Sequence, residues 1–325
     1  MARHVYSQFT DKDGNFVEQF QTTGFDARTW ELALFAYLLE AGFSLDDTSV
    51  RPDFLCEKGG ARVAIEATTA NPSGGKATPP TLEGLQRAGE QTKEQILWRV
   101  QHEIPIRLGS PLFSKLKRRY WELPFVGETP LVFAIESFAA EDALYFSDAG
   151  LASYLYGSWA VPWRTAGGEL VVENVPIQEH RVGKKVIPSG FFSQPDTENV
   201  SAVLFSNSGT FPKFGRMGAQ AGLDTAGITM IRVGTCYNQD PSASEPLAFS
   251  YNVAERPEEW GMAETWGEGM SMYHNPNALH PVADQLFPEI AHHHCEDGRL
   301  IATTIPPFHP FMSQTRVMLA VEKLG

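Results

Sequence analysis

The chain reads as an α/β protein, and three stretches carry that expectation. FDARTWELALFAYLLEAGF, residues 25–43, places Trp30, Leu34, Tyr37, Leu38 and Ala41 at helical spacing. Residues 53–56 and 62–67 are two short strand-like runs joined by Glu57-Lys58-Gly59-Gly60, the pattern of a hairpin. SPLFSKLKRRYWEL, 110–123, is a second helical stretch, followed by PLVFAIESF, 130–138, a continuous apolar run of the kind buried on both faces of a sheet. The order is helix, strand, strand, helix, strand.

Local signals bound these elements. Asp26 is the expected N-cap of the first long helix, and Gly42 its stop. Ser110 is the expected cap of the second, with Pro111 at its first position. Residues 1–24 form a polar lead-in with a short hairpin expected about Asp13-Gly14. NPSGGKATPP, 71–80, is a loop, and 81–104 has helical periodicity. Beyond residue 150 the chain turns to Gly, Pro, aromatics and short β-like runs at 169–175, 202–206 and 228–233. The expected division is a lead-in at 1–24, a core at 25–150, and a β-rich remainder at 151–325 that completes or extends it.

Composition narrows the function classes. Hydrophobic residues make up 42% of the 325, enough for a packed core. The net charge of −13 argues against a protein that coats nucleic acid without specificity, so any such contact needs a local basic patch. Cys56, Cys236 and Cys295 are scattered, without a CxxC pair, as expected of reduced thiols in a cytosolic protein. No apolar leader and no run of about 18 apolar residues is seen, so a cytoplasmic protein without a membrane span is expected. Gly74-Gly75-Lys76 lacks the spacing of a phosphate loop, and neither GxGxxG nor GxSxG occurs in a fitting context.

The carboxylates are the informative feature. Asp53 follows Pro52 at the start of a strand. Glu66 lies on VAIEA, sharing a strand face with Ala64 and Thr68. At neighbouring strand ends the two could chelate one ion. Glu31 lies one helical turn from Leu34 and Phe35, beside the buried stripe, where a carboxylate is costly unless it is paired or binds metal. Phosphodiester hydrolysis asks for such a set: hard oxygen ligands for Mg²⁺ and a cation to offset the developing charge. The competing reading is an ordinary hairpin with Asp53 and Glu66 solvated or paired to Lys58 or Arg62.

Glu31 in WELALF, Pro52-Asp53-Phe54, Glu66-Ala67-Thr68, the helix SKLKRRY and the strand PLVFAI together resemble the PD-(D/E)XK nuclease superfamily over residues 25–138. KFGRMG followed by YHNPNALHP is similar to stretches in bacterial proteins bearing that core. The resemblance implies a restriction-endonuclease-like core, a mixed sheet flanked by helices, with a β-rich C-terminal extension. It implies Mg²⁺ (or Mn²⁺) on Asp53, Glu66 and Glu31, and a metal-dependent endonuclease or phosphodiesterase acting on nucleic acid, DNA in preference to RNA. Many nucleases of this type are dimers, which leaves a homodimer open. Thr68 stands where the superfamily's lysine belongs. Either the module is inactive and binds nucleic acid or a protein partner, or the following helix supplies the cation. Lys115, bordering the apolar face beside Leu116, is preferred to Lys117 for that role. Lys117, Arg118 and Arg119 would then form a basic flank to the substrate.

Lys213 and Arg216 fall in a stretch read as a strand running into a Gly-punctuated loop, and they offer phosphate contacts. SMYHNPNALHP, 271–281, reads as a strand ending in an Asx-type turn. Consecutive histidines point apart, so His292 to His294 are read as helix-terminal residues and not as a metal site.

Overall fold

The computed structural model describes all residues except 72–90, 139–142, 241, 244, 262 and 320–325. Residues 72–80 of the expected loop, the Gly74-Gly75-Lys76 stretch and residues 81–90 of the expected helix lie outside the described residues.

The N-terminal segment is helical where a hairpin was expected. Short helices α1 (Ala2–Tyr6) and α2 (Phe16–Phe20) flank a turn at Gly14, which has φ 68°. The Asp11 carboxylate accepts the N–H groups of Gly14 and Phe16, which starts α2 in place of a strand. Helix α3 (Phe25–Glu40) follows. Gly24 and not Asp26 occupies its N-cap, so Asp26 sits in the first turn. Gly42, at φ 86°, closes the helix as expected: the N–H groups of Gly42 and Phe43 return to the carbonyls of Leu39 and Leu38.

Strand β1 (Ser44–Leu45) pairs with β2 (Phe54–Lys58), and β2 forms a hairpin with β3 (Ala61–Ala70). Gly59 and Gly60 both have positive φ, 59° and 83°, as a two-residue hairpin turn of this hand requires. Helix α4 (Lys93–Trp98), capped by a Thr92–Gln95 capping box, continues through a π-helical turn, Arg99–Glu103, into α5 (Ile104–Leu116). The second long helix therefore begins before Ser110. Pro111 is internal, and the Ser110 hydroxyl bonds back to Ile106 O instead of capping. Ile104, Leu108, Leu112 and Leu116 form an unbroken buried stripe, whose burial outweighs the one N–H that Pro111 lacks. The helix also ends earlier than expected, at Leu116, and Arg119 in the left-handed region (φ 50°) turns the chain into a 3₁₀ turn, Tyr120–Glu122.

Strand β4 (Leu131–Ser137) is buried along its whole length. Helix α6 (Ala143–Tyr156) is followed by two hairpins, β5 (Ser158–Arg164) with β6 (Leu170–Pro176) and β7 (Glu179–Val182) with β8 (Lys185–Pro188). Then come β9 (Ala202–Ser206), α7 (Phe211–Gln220), β10 (Ile228–Cys236), β11 (Leu247–Asn252), β12 (Met270–His274), β13 (Ala291–Glu296), β14 (Arg299–Thr304) and β15 (Pro310–Leu319).

Among the described residues the main sheet has eight strands, in the order β1-β2-β3-β4-β9-β12-β13-β14. It is mixed: β3, β4 and β9 run parallel, β12 and β13 run parallel to each other, and the remaining pairs are antiparallel. Two hydrophobic layers cover it. Val63, Ile65, Val132 and Ala134 pack with residues of α3 on one face. Ala64, Leu131, Phe133 and Ile135 pack with residues of α5 and α6 on the other. Because β9 lies beside β4, the sheet draws on both sides of residue 150, and the C-terminal half completes it. A separate three-stranded sheet runs β11-β10-β15. No helix of the described residues is long and apolar enough to cross a membrane. Cys56, Cys236 and Cys295 are free thiols.

Candidate active site

Strand pairing brings the two central carboxylates together. Phe54 pairs with Ile65, so Asp53, one residue upstream, stands opposite Glu66. The Asp53 N–H donates to Glu66 Oε2 at 3.3 Å, and Asp53 Oδ2 accepts the Ala67 N–H at 2.7 Å. Like charges facing each other across a ladder are destabilising, and Glu66 is only 4% exposed. The consequence falls on Asp53. Burial first, then the Glu66 charge, push its carboxyl up to about 7, with Lys115 working against the shift.

The cation arrives from α5. Lys115 Nζ donates to Glu66 Oε1 in a short ion pair. Its helix packs on the sheet face to which Ala64, Glu66 and Thr68 point, so a lysine in the last turn of α5 reaches the face where Thr68 carries no charge. Tyr120 is buried on the same face, and burial together with the Glu66 charge holds its phenol protonated. Lys58 and Arg62 do not serve as partners. Lys58 Nζ donates to Leu286 O at 2.9 Å, and Arg62 faces Asp46 at 4.0 Å.

Glu31 approaches from α3, on the opposite layer. It lines one cleft with Asp53, Asp11, Asp13, Lys12 and Arg28. Arg28, one turn earlier on α3, pairs with Glu31 at 2.5 Å. Burial, and to a smaller extent Asp13 and Asp11, raise the Glu31 carboxyl above its ordinary range against the pull of Arg28. Lys12 Nζ donates to Asp53 O at 3.3 Å. Sequence reasoning did not single out Arg28, Lys12 or the Asp11–Asp13 pair. Only Arg28 carried a signal, three residues before Glu31.

The carboxylates of Asp53 and Glu66 stand opposite each other with Lys115 on Glu66, and burial raises the Asp53 carboxyl. Glu31 lies across the cleft and, among the described residues, does not close with them into a three-ligand group within 4.8 Å.

The basic residues divide. Lys117, Arg118 and Arg119 are exposed at the end of α5. Lys117 Nζ lies over the Phe113 ring at 4.5 Å, and Arg119 pairs with Glu122 at 2.8 Å. Lys213 and Arg216, by contrast, are interior residues at 0% and 3% exposure, on a helix where a loop was expected. Lys213 Nζ donates to Trp266 O (2.7 Å) and Glu268 O (3.0 Å). Arg216 holds Glu264 through two bonds, Nε–Oε2 at 2.8 Å and Nη2–Oε1 at 2.7 Å. Arg232 and Arg256 complete this network on Glu264 and Glu268. Fully enclosed and paired, Lys213 and Arg216 have no face to offer a phosphate. Glu136 was likewise hidden in the apolar run of β4; fully buried, its carboxyl is pushed well up by burial.

The histidine stretches also differ from expectation. Met270–His274 is the expected strand, and Asn275 Oδ1 accepts the Asn277 N–H as in an Asx turn. His292 to His294, however, lie on strand β13, because residues 291–293 pair with β12. Asp297-Gly298, both at positive φ (49° and 73°), form the β13–β14 hairpin turn and do not end a helix.

No protein-family model, no curated protein and no solved structure matches this chain significantly.

Proposed function

We propose that this chain is a metal-dependent phosphodiesterase of the PD-(D/E)XK nuclease kind, cleaving nucleic acid, DNA in preference to RNA, with its lysine supplied by α5. The observation that carries the reading is the ion pair of Lys115 with Glu66, opposite Asp53. It pairs an ammonium with the strand carboxylate on the face where Thr68 has no charge to give.

Each residue has a task in this reading. Asp53 and Glu66 would hold Mg²⁺ (or Mn²⁺), with Glu31 as a further oxygen donor across the cleft. The bound ion supplies Lewis-acid charge at the phosphoryl oxygens. Lys115 orients the attacking water and offsets negative charge as it develops. Arg28 keeps Glu31 in place. Lys117, Arg118 and Arg119 contact the phosphate backbone beside the scissile bond. Asp53, with its proton held up to about 7, is the ligand whose ionisation a bound cation would favour most.

The test is cleavage of linear and supercoiled DNA with Mg²⁺ or Mn²⁺ by the wild type, Asp53→Ala and Lys115→Met. Removing one charge-stabilising donor should lower the rate about 10²–10³-fold in Lys115→Met while Mg²⁺ still binds. Asp53→Ala should lose both. A wild type that binds the ion and DNA but cleaves neither substrate would make the module a binding protein that keeps the cluster without the chemistry.

A further inference from the structure

A second cluster lies on the opposite face of the sheet. The row of the main sheet through Glu66 continues through Phe133, Val203 and Tyr273. Tyr273 is three strand spacings from Glu66, about 14 Å. The next residue, His274, points to the other face, the one covered by α3. Here β12, β13 and the 3₁₀ turn Asp284–Leu286 converge.

Strand alternation selects the histidines. His293 points away and stacks on Tyr273 at 4.8 Å. His292 and His294 share the face of His274, whose ring stacks on His294 at 4.0 Å. His274 Nε2 lies 3.0 Å from His292 Nδ1 and 3.4 Å from Asp284 Oδ1; His292 Nδ1 lies 3.8 Å from the same oxygen. Donors at about 2.0–2.2 Å from one tetrahedral ion stand about 3.3–3.6 Å apart. The three observed separations bracket that range.

The surroundings orient each donor. His292 Nε2 faces the Phe287 carbonyl at 2.9 Å, so that nitrogen carries the hydrogen and the Nδ1 lone pair points at His274 and Asp284. His294 Nε2 sits 3.1 Å from both Asp284 oxygens, and the Thr303 hydroxyl donates to Oδ2 at 3.3 Å. Metal-binding histidines and carboxylates are held by such outer partners. His274 and His292 are buried and Asp284 is partly exposed, which leaves an entry path.

We propose that His274, His292 and Asp284 form a binding site for a divalent transition metal of the Zn²⁺ type, with His294 as a positioning residue for Asp284. Two imidazoles and one carboxylate are a donor set suited to Zn²⁺ and poorly suited to Mg²⁺. Three protein donors leave a fourth position for water or a ligand. The ion would fasten the Asp284–Leu286 turn to the ends of β12 and β13. This site shares no residue with the Asp53–Glu66 cluster and does not depend on the reading of that cluster.

The test uses full-length protein stripped with EDTA and titrated with Zn²⁺ by calorimetry, and with Co²⁺ by visible absorption. Wild type should bind one equivalent of Zn²⁺ and give the Co²⁺ bands of a low-symmetry nitrogen–oxygen site. Loss of an outer partner weakens metal binding about 10–100-fold, so His294→Gln should fall in that range and Asp284→Asn should weaken it at least as much. Both residues are partly exposed, so both variants should fold, and circular dichroism checks this. Asp53→Ala should leave Zn²⁺ and Co²⁺ binding unchanged. No Zn²⁺ binding by the wild type, or binding unaffected by Asp284→Asn, would overturn the proposal. So would Zn²⁺ binding lost in Asp53→Ala, which would put the ion on the carboxylates.

Discussion

Replacing Asp53 by Asn tests the electrostatics of the carboxylate cluster apart from catalysis. An aspartate that ordinarily ionises at 3.8 is held up to about 7 by burial and by Glu66. Between those values the unfolded chain gives up its proton before the folded one does. Metal-free stability should therefore fall as pH rises from about 4 to 7, with the penalty complete above 7 and absent below 4. At about 1.4 kcal/mol per tenfold change in acidity, the full penalty is about 4 kcal/mol. That figure is a ceiling, because water and neighbouring side chains rearrange around an ionised carboxylate. Asn cannot ionise, and its carbonyl can keep the bond from the Ala67 N–H. Urea unfolding in EDTA should find Asp53→Asn more stable than wild type at pH 8, by about 2–4 kcal/mol, and equal to it near pH 4. Adding Mg²⁺ should raise the wild type and leave the variant unchanged. A variant less stable than wild type at pH 8 without metal would refute the reasoning, since Asp53 would then be stabilised by its partners and not strained by them.

Other outcomes follow from the same geometry. Arg216→Ala removes both close bonds to Glu264 and leaves only the longer contact to Arg232 on a buried carboxylate that burial would raise but that Arg216 and Arg232 hold below its ordinary range. It should cost about 3–5 kcal/mol in thermal or urea unfolding while leaving DNA affinity per folded molecule unchanged. The stabilising contribution of Glu264 should be present at neutral pH and lost as pH falls below the ordinary glutamate range. Replacing Lys117, Arg118 and Arg119 by Ala should weaken DNA binding at low salt and flatten the slope of log affinity on log salt by about 1 for each phosphate no longer neutralised. An unchanged slope would remove that flank from the interface. Gly234→Ala places a Cβ 1.9 Å from the Met312 carbonyl oxygen, where β10 pairs with β15. A melting temperature lowered by an amount equivalent to about 3 kcal/mol is expected, and an unaltered one would mean the strands separate freely there.

Elements whose burial pattern is local were legible in the chain. The apolar positions from Trp30 to Leu38 lie in α3, which is buried on nearly every side and not along one stripe alone, Gly59-Gly60 turned the hairpin, and the apolar run of β4 is buried throughout. Asp53, Glu66 and Lys115 were legible as candidates because strand alternation and helix facing depend on spacing alone; the pairing of β2 with β3 and the packing of α5 on the sheet are what bring the three together. Start signals were weaker than burial: Ser110 and Pro111 looked like a helix N-terminus, yet the four-residue stripe from Ile104 to Leu116 ran the helix past them.

Long-range pairing was not legible. Whether β9 lies beside β4, and so whether the sheet stops at residue 150, depends on contacts far apart in the chain. Lys213 and Arg216 looked like a surface patch because basic residues are usually solvated. Residues about fifty positions onward make their burial tolerable: the Glu264 carboxylate pairs with Arg216, and the Trp266 and Glu268 carbonyls accept from the Lys213 ammonium. The histidines show the same division. Sequence determined that neighbouring members of the His292–His294 run point apart. Tertiary structure decided that the run is a strand, set His274 beside it and brought in Asp284, because converging donors are made by packing between strands and not by spacing along one.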